Sequence, residues 1–521
     1  MESILKITTL LYKILLGKGV RYPMTPTVLL VNDRDNVLVT LKSLTAGETV
    51  TYEGETIKIN DNVPAGHKIA RKAIQTNDNV MKYGFPIGHA TEPIDVGDWI
   101  HTHNIHTNLE GTLEYKYEPA SVKVSPSPTT DLTFKGYVRE NGDVGIRNEI
   151  WIVNTVGCIN KTAEIVAKMA NEQFQGEEID GVFHYPHLFG CSQLGDDLLY
   201  TQRILSDLVH HPNAAGILVM GLGCENNYIE EFKKVIGDMD DRRVKFLEAQ
   251  QSLDEIGEAL EKIEELVGYA NSFKREPVPV SKLKVGLKCG GSDGFSGITG
   301  NPLVGSFSDM LISHGGATAL TEVPEMFGAE TILMSRAKNK MVFQQIVDLI
   351  NDFKEYFIRH GQNVYENPSP GNKDGGITTL EEKSLGNVQK GGFGEIVDVL
   401  PYGGRISEGG LSLLQGPGND LVSVTALAAS GAHIVLFTTG RGTPFGGPVP
   451  TVKISTNSEL YLKKKNWIDF NAGELLEGKD KQELTEEFFH YILQVASGEI
   501  RTNNEKFGFK EISIFKDGVI L

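Results

Sequence analysis

The chain has 521 residues, 40% of them hydrophobic, which is enough to bury substantial cores and long enough for two to four domains. Four cysteines, none in a C-x-x-C pair, are too few for a disulfide framework and argue against a zinc ribbon or a redox pair. A formal net charge of -18 argues against a broad basic face for nucleic acid, so any anionic ligand must be met by local cations.

Residues 7–17 are apolar apart from Lys13, and no small-residue cleavage pattern follows before Tyr22. They read as an extra amphipathic helix or a generous start site within an amino-terminal extension, residues 1–24, rather than as a secretory signal. No later run approaches the roughly 20 apolar residues of a spanning helix. The expectation is a soluble, cytoplasmic protein with neither membrane nor nucleic acid as partner.

From 27 to 104, short apolar stretches alternate with turn signals such as Ala46-Gly47-Glu48, Tyr52-Glu53-Gly54, Pro64-Ala65-Gly66 and Asp95-Val96-Gly97. That spacing predicts a small, strongly bent β domain over 25–112. Residues 113–135 contain Ser125-Pro126-Ser127-Pro128 and little periodicity, and read as a linker.

Beyond Gly136, strands expected at 149–155, 181–184 and 215–220 each lead through a glycine-containing loop into a helix, at 162–173, 196–208 and 228–236. A first α/β domain over 136–272 follows. A charged stretch, 271–282, with Pro277 and Pro279, separates a second α/β domain over 283–521. This one opens with a strand at 283–289 and the loop Gly290-Gly291-Ser292-Asp293-Gly294. It continues through a strand at 433–438 into Thr439-Gly440-Arg441-Gly442-Thr443-Pro444, and a last strand is expected at 511–515. The fold class is therefore multi-domain α/β, a small β domain followed by two Rossmann-like domains with mainly parallel sheets. No phosphate-binding G-x-x-x-x-G-K-[ST] or strand-anchored G-x-G-x-x-G accompanies them, which disfavours a nucleotide enzyme.

Ligands of open α/β sheets gather at the carboxyl ends of strands, where loops diverge and helix amino termini point inward. Cys158, Cys191, Cys224 and Cys289 all fall at or just past expected strand ends, each beside glycine. They are either small buried hydrophobes or ligands of a soft or borderline metal, or of an iron–sulfur cluster. If 99–103 is a strand end, His101 and His103 share one face and could hold a metal or divide acid and base roles. His67 and His89 stand singly and read as structural or supporting. Among the cations, Arg139 and Arg147 flank a turn, Lys373 follows Pro368-Ser369-Pro370-Gly371-Asn372, and Arg441 interrupts a glycine loop where it could clamp a carboxylate.

Several long phrases resemble the altronate dehydratase family, which also contains galactarate dehydratase and related hydroxy-acid lyases. They are 95–104 (DVGDWIHTHN), 142–148 (GDVGIRN), 190–197 (GCSQLGDD), 211–227 (HPNAAGILVMGLGCENN), 287–301 (LKCGGSDGFSGITGN), 321–330 (TEVPEMFGAE), 367–386 (NPSPGNKDGGITTLEEKSLG) and 437–457. The resemblance implies a β-clip (SAF) fold for the amino-terminal domain, paired α/β domains in a homodimer, and a divalent metal, iron(II) or manganese(II), in preference to an iron–sulfur cluster. The implied reaction removes water from D-altronate to give 2-dehydro-3-deoxy-D-gluconate in hexuronate breakdown. Galactarate dehydratase or another polyhydroxy-acid lyase is the alternative, and a non-catalytic sugar-acid-binding protein a remote one. The residues expected to carry the chemistry are His101 and His103 for proton transfer or metal, with Cys191, Cys224 and Glu225 as further metal contacts. Arg147, Asn148, Ser292, Asp293, Lys373 and Arg441 are expected to bind the sugar acid.

Overall fold

The computed structural model describes residues 26–120, 124–125 and 132–521, so the helix expected at 7–17 lies outside the described residues. Nine short strands occupy the amino-terminal unit: β1 (Val28–Leu29), β2 (Val37–Thr40), β3 (Thr49–Tyr52), β4 (Glu55–Lys58), β5 (Lys68–Ala70), β6 (Asn79–Lys82), β7 (Phe85–Ala90), β8 (Trp99–Ile100) and β9 (Ile105–His106). They pair as an antiparallel sheet in the order β1-β2-β5-β8, a hairpin β3-β4, and a second sheet β6-β7-β9. Tight crossings force the chain to bend this often, and at Gly97 a Cβ would stand 1.9 Å from the Lys58 carbonyl oxygen, so only glycine fits there. The expected strand 99–103 stops at Ile100; His101 to Asn104 form a turn closed by the Asn104 amide on the His101 carbonyl. The histidines at 101 and 103 are therefore not period-two neighbours on a strand.

The described part of 107–132 has no regular element, yet it is anchored: the Tyr115 hydroxyl donates to Glu330 at 2.5 Å and the Ala120 amide to the Ser335 carbonyl. Next come β10 (Thr133–Val138), β11 (Val144–Gly145), β12 (Glu149–Asn154), β13 (Gly181–His184), β14 (Ala214–Gly221), β15 (Val244–Glu248) and β16 (Arg275–Pro279). The stretch expected to separate the two α/β domains, 271–282, is not wholly irregular. Part of it is β16, which pairs antiparallel with β10, Lys135 opposite Pro277 and Thr133 opposite Pro279. Both prolines are tolerated because β16 is the edge of the sheet β11-β10-β16 and their missing N–H groups leave no ladder bond unmade.

β13-β12-β14-β15 form a wholly parallel sheet. Every residue of β12 and β14 is buried, as strands covered on both faces require. Ala163, Val166 and Ala170 of the helix Asn160–Gln173 share one core with Ile263 and Leu266 of Glu255–Ala270. The helices Gly195–Val209 and Ile229–Ile236 bury Ile204, Leu208 and Phe232 in a different core on the opposite face.

The carboxyl-terminal region holds β17 (Lys284–Cys289), β18 (Ala317–Leu320), β19 (Ile396–Leu400), β20 (Gly410–Leu414), β21 (Ile434–Thr439), β22 (Thr451–Ser455) and β23 (Phe470–Asn471), a seven-stranded parallel sheet in the order β19-β20-β18-β17-β21-β22-β23. The helices Gly300–Ser313 and Lys481–Ala496 pack into one core and Asp420–Ala429 into another. In both parallel sheets the first strand is central and the chain moves outward on one side before returning to the other. The strand order thus reverses between β12 and β14, and between β17 and β21, which opens a crevice at the carboxyl ends of each pair. The strand expected at 511–515 is absent. Ile512 and Ile514 are buried with the period-two pattern of a strand, but the amides of Glu511, Ser513 and Phe515 bond to the Gly446 carbonyl, the Thr425 hydroxyl and the Tyr402 hydroxyl rather than to a neighbouring strand.

Candidate active site

The reversal in the large sheet brings the loop after β17 against the loop after β21: Gly290 N bonds to Thr438 O, and the amides of Gly440 and Arg441 both bond to Gly291 O. Gly291 takes φ +62, and an added Cβ there would lie 3.3 Å from the Cβ of Arg441. Asp293 fastens the loop, accepting from Phe295 N, Ser296 Oγ, Thr456 Oγ1 and Asn457 Nδ2, while burial raises its pKa. Ser292 and Asp293 line a narrow cavity with Lys82, Cys289, Ser296, Glu382 and Lys383. The Ser292 carbonyl is held by Asn372 Nδ2 at 2.9 Å, which sets the short helix Pro370–Asp374, and with it Lys373, beside the same loop. Arg441 is exposed, and neither it nor Lys373 spends its side chain on an ion pair or hydrogen bond among the described residues.

Beneath the loop lies a network of buried charge. Lys288 of β17 pairs with Glu322 and, at 3.0 Å, with Asp420; Lys390 reaches Glu322 at 3.3 Å; Lys383 reaches Glu325 at 2.9 Å. Three ammonium groups thus face three carboxylates. Burial alone would raise the Glu325 carboxyl, but Lys383, Lys288 and Lys390 hold it down to about 2. Burial and the two glutamates push the Cys289 thiol up to about 12, so it remains protonated, its one S–H shared between Glu325 at 3.3 Å and Asn387 at 3.2 Å. Glu322 sits at φ +70, a left-handed conformation costly for glutamate and characteristic of positions held for function.

The amino-terminal unit closes over this crevice. Lys68 of β5 and Lys82 of β6 both grip Glu382, at 2.9 and 2.8 Å, with all three side chains buried. Trp99 Nε1 donates to His67 Nδ1, leaving the Nε2–H of His67 to donate to the Asp374 carbonyl, so both of its nitrogens are committed. His101 stacks on Trp99 with ring centroids 5.3 Å apart, and its Nδ1 lies 3.3 Å from Thr378 Oγ1, which leaves Nε2 free. Burial, reinforced by Lys68, lowers its pKa to about 4. It is neutral at pH 7, an electron-pair donor rather than an acid. His103 packs at 5.3 Å on Trp99, is exposed, and has no hydrogen bond among the described residues.

Of the residues singled out in the sequence, His101, Ser292, Asp293, Lys373 and Arg441 thus gather around one crevice, with His103 at its rim. Arg147 and Asn148 do not join them. The Arg147 guanidinium is buried and donates to both oxygens of Glu505 and to the carbonyls of Ile146 and Val495; Asn148 is spent on Arg139, Glu178 and Ala270. Cys191, Cys224 and Glu225 lie at the ends of β13 and β14 on the smaller parallel sheet. Glu225 there accepts from Thr155 Oγ1 and the amides of Leu222 and Gly223, which hold its pKa down against burial. What the sequence reading missed is the buried set Lys68, Lys82, Lys288, Glu322, Glu325, Glu382, Lys383 and Lys390. A signal existed: Lys288 interrupts the apolar run of β17, where parallel-sheet burial leaves a charge nowhere to go but to a partner.

The donors of Cys289, Glu322 and Glu325 lie within 4.8 Å of one another, the one set of three so close among the described residues. Their spacing suits a metal ion but their charges do not, since an ion would have to displace three ammonium groups and take the thiol proton. His101 Nε2 and His103 are the uncommitted nitrogen donors that the crevice offers.

Three family profiles match consecutive stretches: the altronate/galactarate dehydratase SAF domain at 26–108, the second domain of D-galactarate dehydratase/altronate hydrolase at 136–271, and the carboxyl-terminal domain of D-galactarate/altronate dehydratase at 280–520. The chain is 54% identical over 493 residues to the altronate dehydratase of Bacillus subtilis (strain 168), covering 94% of this chain and 99% of that protein. The chain belongs to the D-galactarate/altronate dehydratase family. Another member of the family, altronate dehydratase of Escherichia coli (strain K12), is 51% identical over 94% of this chain and 98% of its own length. Galactarate dehydratase (L-threo-forming) from the same organism is 33% identical over 94% and 97%. As a dehydratase-family chain, this protein is a hydro-lyase whose amino-terminal β unit is of the SAF type. Among the described residues no helix is long and apolar enough to cross a membrane.

Proposed function

We propose that this chain removes water from D-altronate to give 2-dehydro-3-deoxy-D-gluconate, in the crevice between the SAF unit and the β17/β21 strand ends. The observation that carries the reading is near-full-length identity of 54% and 51% to altronate dehydratases, against 33% to galactarate dehydratase. The crevice chemistry agrees. Arg441 and Lys373, both uncommitted, offer a carboxylate two charge-assisted contacts beside the free hydroxyl of Ser292. His101 Nε2 takes the C2 proton. With a pKa near 4 it is a weak base, so the C2–H must be acidified by positive charge around the substrate carboxylate, which Arg441 and Lys373 supply. Closure by the SAF unit excludes water and strengthens each of these interactions. A divalent metal, iron(II) or manganese(II), would supply Lewis-acid help to the departing C3 hydroxyl, with His103 as its protein donor and the substrate's own oxygens completing the set; His101 cannot hold it while its one uncommitted electron pair serves as the base. The two parallel sheets are read as Rossmann-like in winding, and the protein as a cytoplasmic homodimer in hexuronate breakdown.

Purified protein with added iron(II) or manganese(II) under reducing conditions is incubated separately with D-altronate, galactarate and other aldonates, and 2-keto-3-deoxy acids are assayed. The expected result is product from altronate at the highest kcat/KM. Preferred turnover of galactarate would replace the reading with its family alternative, and no turnover of any hydroxy acid would overturn it.

A further inference from the structure

A second crevice, at the order reversal of the smaller parallel sheet, is left without a task by the reaction above. Cys158 follows β12, Cys191 follows β13 and Cys224 follows β14, three strands adjacent in the order β13-β12-β14. All three thiols are exposed and none forms a disulfide, whereas Cys289 is buried. We infer that Cys158, Cys191 and Cys224 together ligate an iron–sulfur cluster through three thiolates.

Adjacent strands stand about 4.8 Å apart, which would spread the outer two thiols, but the loops fold back over the middle strand. Asn227 N, after β14, bonds to Gly190 O at 2.9 Å, and Ser192 N bonds to Asn226 Oδ1 at 2.7 Å, so the β13 and β14 loops join directly. The β12 loop joins them through Gly157 N on Phe189 O at 2.9 Å. A Cβ at Gly190 would come 2.0 Å from Thr155 O and one at Gly157 2.6 Å from His187 O, so glycine beside two of the cysteines is what lets the loops close up. The three cysteine-bearing loops thus meet over the middle strand.

The set is too open for a single ion. Two sulfurs on one metal at about 2.3 Å can be no more than roughly 4.6 Å apart, and these three do not all lie within 4.8 Å of one another. A cluster spreads its ligands over several irons and accepts the wider spacing. Charge favours it too. The helices Asn160–Gln173, Gly195–Val209 and Ile229–Ile236 begin two, four and five residues after the respective cysteines, directing three amino termini at one anionic assembly. Within the same loops the buried Nε2 of Gln193 has no hydrogen-bond partner, a donor available to cluster sulfide. Three protein ligands leave one iron of a four-iron cluster able to take an oxygen ligand.

The inference does not depend on which sugar acid is dehydrated. The full chain is purified without oxygen, reconstituted with ferric iron, a dithiol that reduces half of that iron to the ferrous state, and sulfide, and its iron, acid-labile sulfide and visible absorption are measured. Near-equal iron and sulfide with a broad visible band are expected in the wild type and in Cys289→Ser, and loss of most of both in Cys158→Ser, Cys191→Ser and Cys224→Ser. Alkylation of the reconstituted wild type guards against misfolded variants, since cluster formation must protect all three thiols together. Iron bound without sulfide, sulfide retained in any of the three variants, or thiols that stay reactive after reconstitution would overturn the inference. Altronate turnover is not a readout, so its failure leaves this test intact.

Discussion

Arg147 and Arg441 look alike in sequence, each an arginine beside a glycine-containing turn, yet their surroundings are opposite. A carboxylate 358 positions away, on Glu505, consumes the first, and nothing local announces that partner. Arg441 stays free because its loop packs on Gly291 through backbone bonds alone. Replacing Arg441 with Met should therefore lower kcat/KM for altronate roughly 10–100-fold, the cost of one charge-assisted contact, with no change in thermal unfolding. Arg147→Met should do the reverse, leaving a buried carboxylate unpaired at a cost of about 3–5 kcal/mol, read by denaturant unfolding. Equal effects of the two on activity and stability would contradict the assignment. The geometry of the histidines was not legible: a turn beginning at His101, fixed by Asn104, splits the expected pair. His101 loses its free electron pair only as pH falls through about 4. The acid side of the kcat/KM profile should thus stay flat below the ordinary histidine range, and His101→Ala should lose roughly 10²–10⁴-fold. An acid limb near pH 6.5 that vanishes in His101→Ala would contradict the neutral, partly buried imidazole.

At the scale of elements, strands and helices flanking glycine loops were readable because parallel-sheet strands are continuous apolar runs and their helices keep one apolar face. The failures have a common cause, long-range pairing. β16 is charged and proline-bearing because it is an edge, and 511–515 has a strand's burial pattern without a strand's partner. The join between SAF unit and large sheet was likewise invisible, since it rests on Lys68, Lys82 and Glu382, roughly 300 residues apart in sequence and indistinguishable from surface charges. Despite burial, the two lysines hold the Glu382 carboxyl down to about 2. The stabilisation from this depressed carboxylate is full above its ordinary value near 4.5 and is lost as pH falls from there toward 2. Glu382→Gln should remove it at neutral pH, costing about 3–5 kcal/mol by stranding two buried ammonium groups. Limited proteolysis near the 107–132 connection would then quicken at pH 7, and unchanged cleavage would show that the clip does not hold the unit.

On the scale of the whole molecule, two parallel sheets each place their order reversal beside glycine loops, and the protein divides its polar chemistry between them. Cations, a neutral imidazole and a matched charge network lie at β17/β21; exposed thiols follow β12, β13 and β14. From sequence these appeared as one convergent set, because strand-end position is readable while the sheet to which a strand belongs is not. The account stands on the sugar acid binding in the first crevice. A crystal structure of the protein with a bound, non-reacting altronate analogue tests this most directly. The carboxylate is expected between Arg441 and Lys373, with C2 facing His101 Nε2; a ligand seated away from all three residues would contradict it.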